Sequence, residues 1–156
     1  KRRLSGALLP TDLLLVQTVG GLVNWAATQT RPDLSFGASA LAGEASVHKD
    51  YAAVKSSMEL GKKAKAQKHV GLRYRKLSGD LTIRVWSDAA FGNMAGSRSQ
   101  HGFVTVITTT EPTDSNSGEF VMGNLVEWQS HRIKRVCRST FAAETLALVY
   151  AIANGL

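Results

Sequence analysis

The hydrophobic period of this sequence changes near Val70, and that switch constrains the fold more than any other feature. Before it, apolar residues recur at helical spacing; after it, they alternate with polar ones. Asp12 caps a first helix through about Thr28, with Leu13, Val16, Val19, Val23 and Ala27 on its apolar faces. Gly20-Gly21 weakens that helix and permits close packing against a neighbour. Pro32 pushes Arg31 out of helical geometry and opens a short second helix to about Leu41. A third helix, about His48 to Gln67, carries Val47, Tyr51, Val54 and Met58 at helical spacing. Its last turns hold Lys62, Lys63 and Lys65, with Lys68 just beyond, where cations suit the negative end of the helix dipole.

Beyond the switch the pattern predicts strands. Val70, Leu72 and Tyr74 alternate, Ser78-Gly79-Asp80 turns the chain, and Leu81, Ile83 and Val85 alternate again, which predicts a hairpin. Gly102–Thr108 and Leu125–Gln129 predict two more strands, joined by a polar loop from Thr109 to Gly118. A last helix, Thr140–Ala153, has Phe141, Leu148 and Ile152 on its apolar side. The expectation is an α/β (α+β) fold with a helical segment over 1–69 and a sheet-bearing part over 70–156.

Composition narrows the function classes. With 156 residues, 44% hydrophobic and 20% charged, the chain can bury a core and is not a disordered or repetitive polymer. The lone Cys137 excludes an intramolecular disulfide framework and a multi-cysteine zinc site, and suits an intracellular, reducing compartment. The longest apolar stretch, Leu13 to Ala27, is broken by Gln17, Thr18, Gly20, Gly21 and Asn24, so no membrane insertion is expected. Nineteen Lys and Arg against twelve Asp and Glu give a net charge of +7, which favours nucleic acid first and an anionic surface or acidic partner second.

Two carboxylates stand out. Asp88 follows the apolar strand Leu81–Trp86 and precedes the small, turn-prone run Ala89–Gly96, while Glu144 lies in the apolar start of the last helix. Each has a plain structural role available, Asp88 as a turn cap and Glu144 as a complement to the helix N-terminus. Together they suggest a shared divalent cation, since Mg²⁺ binds through one or two carboxylates plus water and substrate phosphate. The basic side chains of His131, Arg132, Lys134, Arg135 and Arg138 suit a phosphate backbone, or simply a solvated face. No phosphate-cradling glycine loop is present, and the four histidines lack metal-ligand spacing.

Several short motifs, in order from about Gln17 to Leu148, resemble one family. Val19-Gly20-Gly21-Leu22 and Thr30-Arg31-Pro32-Asp33-Leu34-Ser35-Phe36 resemble the end of a copia-type retrotransposon reverse transcriptase. Ser87-Asp88-Ala89-Ala90-Phe91-Gly92, Ser97-Arg98-Ser99-Gln100-His101-Gly102-Phe103, Glu127-Trp128-Gln129-Ser130 and Arg138-Ser139-Thr140-Phe141-Ala142-Ala143-Glu144 resemble segments of its ribonuclease H domain. The resemblance implies a connection region followed by an incomplete ribonuclease H-like mixed sheet with one packed helix. It also implies Mg-dependent hydrolysis of RNA in RNA–DNA hybrids, with Asp88 and Glu144 as catalytic and metal-binding carboxylates. Arg98 falls in a basic motif and joins the nucleic-acid-binding set. Ala90, where the family has a second Asp, Phe91 in place of Trp, and Phe141-Ala142 in place of Thr-Glu depart from the pattern but leave both carboxylates.

In that family a further strand and later helices bring two more acidic residues, and this sequence stops at Leu156. The expectation is therefore a fragment without robust turnover on its own, whose open sheet edge invites a protein partner. The alternatives are a domesticated, non-catalytic structural or interaction subunit of a larger assembly, and a nonspecific nucleic-acid binder; ancestry alone does not separate them.

Overall fold

The computed structural model describes residues 9–47, 51–94, 96–109 and 123–155. Helix α1 spans Pro10–Gln29, a 3₁₀ turn covers Pro32–Leu34, and α2 (Ser35–Val47) and α3 (Tyr51–Ala66) complete a helical layer. Strands β1 (Leu81–Met94), β2 (Arg98–Thr109) and β3 (Gly123–Arg132) follow, then α4 (Thr140–Gly155). The described strands form one antiparallel sheet in the order β1-β2-β3, so the fold is α/β with helices on both faces of an open sheet. The mixed strand directions expected from the resemblance are not found among the described strands, all of which run antiparallel.

The helical layer is built largely as its pattern predicts. Pro10 occupies the first turn of α1, and Asp12 accepts a hydrogen bond from the Leu9 backbone at 3.3 Å, so it acts inside the first turn rather than as the cap residue. Val23, Ala27, Leu34 and Ala38 form one buried cluster, and Val16, Leu41 and Val54 a second, bridged by Leu60. Leu41 packs beside Gly20, where a Cβ would sit 3.6 Å from its Cδ2, an ordinary van der Waals contact. Arg31, buried to 7% exposure, closes the α1–α2 corner with a bidentate fork on Asp33, two contacts of 2.8 Å. The 3₁₀ turn absorbs the Pro32 corner, so the second helix starts at Ser35, and it runs longer than expected, to Val47. The third helix starts at Tyr51; positions 48–50 lie outside the described residues.

The sheet departs from expectation in three places. The segment Val70–Ser78 is neither helix nor strand and joins no ladder, so the predicted Val70–Val85 hairpin does not form. Its backbone is instead held by one side chain: Asn124 Oδ1 accepts from Arg75 N at 2.9 Å and Asn124 Nδ2 donates to Arg75 O at 2.8 Å. Strand β1 pairs with β2, from Leu81↔Thr109 to Met94↔Arg98. It therefore runs through Asp88 to Met94, and the run Ala89–Met94 expected as a turn is strand, with the actual turn carried by left-handed Gly96 and Ser97. The third departure is α4, whose buried face is Ala143, Ala147 and Ala151. Phe141, Leu148 and Ile152, expected on the apolar inner side, face solvent, with Phe141 81% exposed. The sheet beneath α4 already carries Phe103 and His101, and alanines let the helix approach over those rings. The polar loop expected over Thr109–Gly118 lies outside the described residues after Thr109, which ends β2.

Packing crosses from the helical half to the sheet half. Trp128 of β3 donates its indole N–H to the Ala27 carbonyl of α1 at 2.7 Å, and Gln100 of β2 donates to Ser39 Oγ of α2 at 3.1 Å. Among the described residues no helix is long and apolar enough to cross a membrane.

Candidate nucleic-acid interface

One end of the sheet collects the residues singled out from the sequence. In the antiparallel ladder the first residues of β2 stand opposite the last of β3, with pairs Gln100↔Arg132 and His101↔His131, and opposite the second half of β1, with Asp88↔Gly102. Cross-strand partners share a face, and successive residues alternate faces. His101 and His131 lie on the α4 side, where the Tyr150 ring packs edge-on against His101 at 4.5 Å. Gln100, Trp128 and Ser130 lie on the side of α1 and α2, where Gln100 Nε2 bonds both Ser39 and Ser130.

The same alternation sends Asp88, opposite Gly102, to the face away from α4, and its side chain is exposed. Glu144 is half-buried in the second turn of α4, one residue after the buried Ala143. No hydrogen bond joins the two carboxylates. Among the described residues no group of three or more His, Cys, Asp or Glu side chains is gathered to hold a metal ion. These two carboxylates, as placed, do not by themselves fit the paired-magnesium pocket that the resemblance implies, and no chemical step is derived through one.

The cations are better assembled. Ile133 N donates to Ser99 O at 2.8 Å, and the Ile133 side chain is buried, which anchors the chain as it leaves β3. That anchor leaves Lys134, Arg135 and Arg138 exposed on the stretch leading to α4, whose start is capped by Ser139 Oγ accepting from Ala142 N at 3.1 Å. Arg98, at the mouth of the β1–β2 turn, is exposed at the same sheet end. The ion pairs among the described residues are Arg31–Asp33 and Lys55–Glu59, so Arg98, Arg132, Lys134, Arg135 and Arg138 face no carboxylate there. Cys137 is partly buried and forms no disulfide.

A cleft of about 680 Å³ opens beside this basic stretch, between α2, the end of β3 and α4. Ser130, His131, Arg132, Lys134, Arg135, His101 and Tyr150 line it from both faces of the sheet end, with no carboxylate among the described lining residues. His131 Nε2 stands 2.9 Å from Gln129 Oε1, which also accepts from the Tyr150 hydroxyl at 3.2 Å. Burial holds the His101 imidazole below the ordinary histidine pKa, and His131 adds to the effect; burial and then Lys134 do the same for His131. Sequence reasoning passed over Gln100, His101 and Tyr150. Nothing local announces them: Ser99, Gln100 and His101 are polar residues of one strand that are buried only once helices pack on both faces of the sheet.

Comparison of the chain with family models, with curated proteins and with solved structures finds no match.

Proposed function

We propose that this protein is a ribonuclease H-like unit of reverse-transcriptase descent that grips a nucleic-acid backbone at one end of its sheet. Its preferred target is an RNA–DNA hybrid, held without sequence preference. The observation that carries the reading is the set of Arg98, Arg132, Lys134, Arg135 and Arg138, gathered at one sheet end with no carboxylate partner among the described residues. Uncompensated cations in such a row release counterions from phosphates and so supply affinity without reading bases. The ordered motifs support the descent. So does the element order, three antiparallel strands followed by a helix packed over β1 and β2, although fold-level likeness does not assign a reaction.

The test is a salt titration of binding to an RNA–DNA hybrid. If these five side chains each neutralise one phosphate, log K falls against log[salt] with a slope of roughly −4.5, and Lys134→Gln makes it shallower by about 1. A flat response removes the electrostatic reading. Hydrolysis of the RNA strand with Mg²⁺ is expected to be absent for the 156-residue chain. Cleavage that both Asp88→Asn and Glu144→Gln abolish would instead establish a nuclease.

A second reading, an interaction subunit, is favoured by a separate observation. Leu81, Ile83, Trp86 and Phe91 of the edge strand β1 and Phe141, Leu148, Val149 and Ile152 of α4 are all exposed. An open strand edge beside exposed apolar side chains suits a protein partner that adds a strand there.

A further inference from the structure

We propose that the open edge of β1 is a dimer seam, on which a second copy of this chain pairs its own β1 antiparallel about a two-fold axis at Trp86. The proposal rests on the interaction-subunit reading above and names its partner. Among the described residues β1 pairs on one side only, with β2, in an unbroken register from Leu81 to Ala90. Alternate N–H and C=O groups of such a strand point to the unpaired side and offer a ladder to another strand.

The charges of β1 select the register. Directly opposite residues in an antiparallel pair share a face, and successive residues alternate faces. A two-fold relating two copies of one strand therefore passes through a residue, and the choice of that residue sets every pair. Arg84 and Asp88 are the charged residues of β1, and they lie on one face with Trp86 between them. Four residues of strand hold them roughly 13 Å apart, too far to pair with each other. Their neighbours on β2, Val106 and Gly102, offer no opposite charge, and the ion pairs among the described residues lie elsewhere. With the axis at Trp86, Arg84 of each copy stands opposite Asp88 of the other, so two ion pairs form, each of a geometry that suits a guanidinium fork. The exposed Trp86 rings then cover one another at the centre. On the other face the exposed Ile83 meets Ala89, and Val85 meets Ser87, small partners that leave room for both. An axis at Arg84 or at Asp88 sets like charges face to face. One at Val85 leaves Asp88 against Thr82, and one at Ser87 sets it against Trp86. Only the Trp86 register joins the opposite charges.

The experiment is sedimentation equilibrium of the full chain over a concentration series. Wild type is expected to dimerise reversibly. Arg84→Asp places carboxylates opposite carboxylates, Asp88→Arg places cations opposite cations, and each should weaken the dimer about tenfold. Mixed in equal amounts, the two variants regain opposite charges at both pairs, so a heterodimer of wild-type affinity should form. The double substitution in one chain restores the same pairs and covers the case in which a single variant folds poorly. A monomeric wild type overturns the proposal, as does a dimer indifferent to both substitutions or unrestored by the double one. The wider reading of β1 as a docking edge fails separately, by hydrogen exchange on the dilute chain. Alternate amides over 82–90 should exchange fast there, and protection of them all would show an edge already paired within the chain.

Discussion

The pair Arg31–Asp33 shows most plainly what single residues contribute. A bidentate fork beneath the α1–α2 corner holds the Asp33 carboxyl below its ordinary range, chiefly through the Arg31 hydrogen bonds. The sign follows: the stabilisation is present above the unfolded carboxyl pKa, near 3.8, and is lost as pH falls through the lower folded value. Asp33→Asn is expected to cost roughly 2–3 kcal/mol at neutral pH and much less at pH 3, read by urea unfolding at both. The histidines act in the same direction on the pH scale. His101 and His131 are held neutral by burial, so the unfolded chain binds more protons than the folded one just below the ordinary histidine pKa. Stability therefore falls as pH drops from about 6.5 through the folded values, and His101→Gln should flatten that part of the profile in thermal melts. The motif Thr30–Phe36 made the corner legible in the sequence. The buried His101 was not legible, because a histidine in an alternating strand reads as an ordinary outward-facing polar residue until the second layer above it is known.

Among the elements, helices were easier to read than pairings. Asp12, Pro32 and the apolar spacing place α1 over about 12–28 against the observed Pro10–Gln29, because these are local constraints, and the start moves back only by the first turn that Pro10 opens. Which strand pairs with which is not local. The alternation over Val70–Tyr74 is real, yet the neighbour of β1 is β2, and the earlier segment is left to the two hydrogen bonds of Asn124. Asp88 was legible as a lone acid among apolar residues, but the continuation of its strand to Met94, and so its face, depended on that pairing. Close approach is the other nonlocal feature. At the start of β3, a Cβ on Gly123 would stand 2.6 Å from Val106 Cγ1 and 3.2 Å from the Ile107 carbonyl oxygen, and backbone cannot yield as a side-chain tip can. Gly123→Ala should therefore destabilise by about 1–3 kcal/mol in denaturant titrations, whereas Gly21→Ala, facing open space within α1, should be neutral or stabilising. Equal effects at the two positions would contradict this packing.

At the level of the whole molecule, the sheet is closed in unevenly. The helical layer covers β2 and β3 on one face, while α4 spans β1 and β2 on the other, and among the described residues β1 keeps an unpaired edge and apolar neighbours. Unprotected edges of this kind associate. Light scattering should show concentration-dependent self-association, and the double substitution Ile83→Lys with Leu148→Lys should abolish it with little change in melting temperature, since both side chains are exposed. A wild-type chain that stays monomeric at high concentration would rule out a sticky edge. Ile83 and Leu148 lie outside the basic set of Arg98, Arg132, Lys134, Arg135 and Arg138, so charge and apolar docking can be dissected separately. The indole of Trp128, pinned to the last turns of α1, has a consequence of its own. Trp25 and Trp86, 67% and 50% exposed, sit in water, whereas Trp128 is clamped where the two halves meet. Two of the chain's three tryptophans should thus surrender their fluorescence readily to iodide, and the shielded third becomes a built-in optical gauge of whether helices and sheet remain docked.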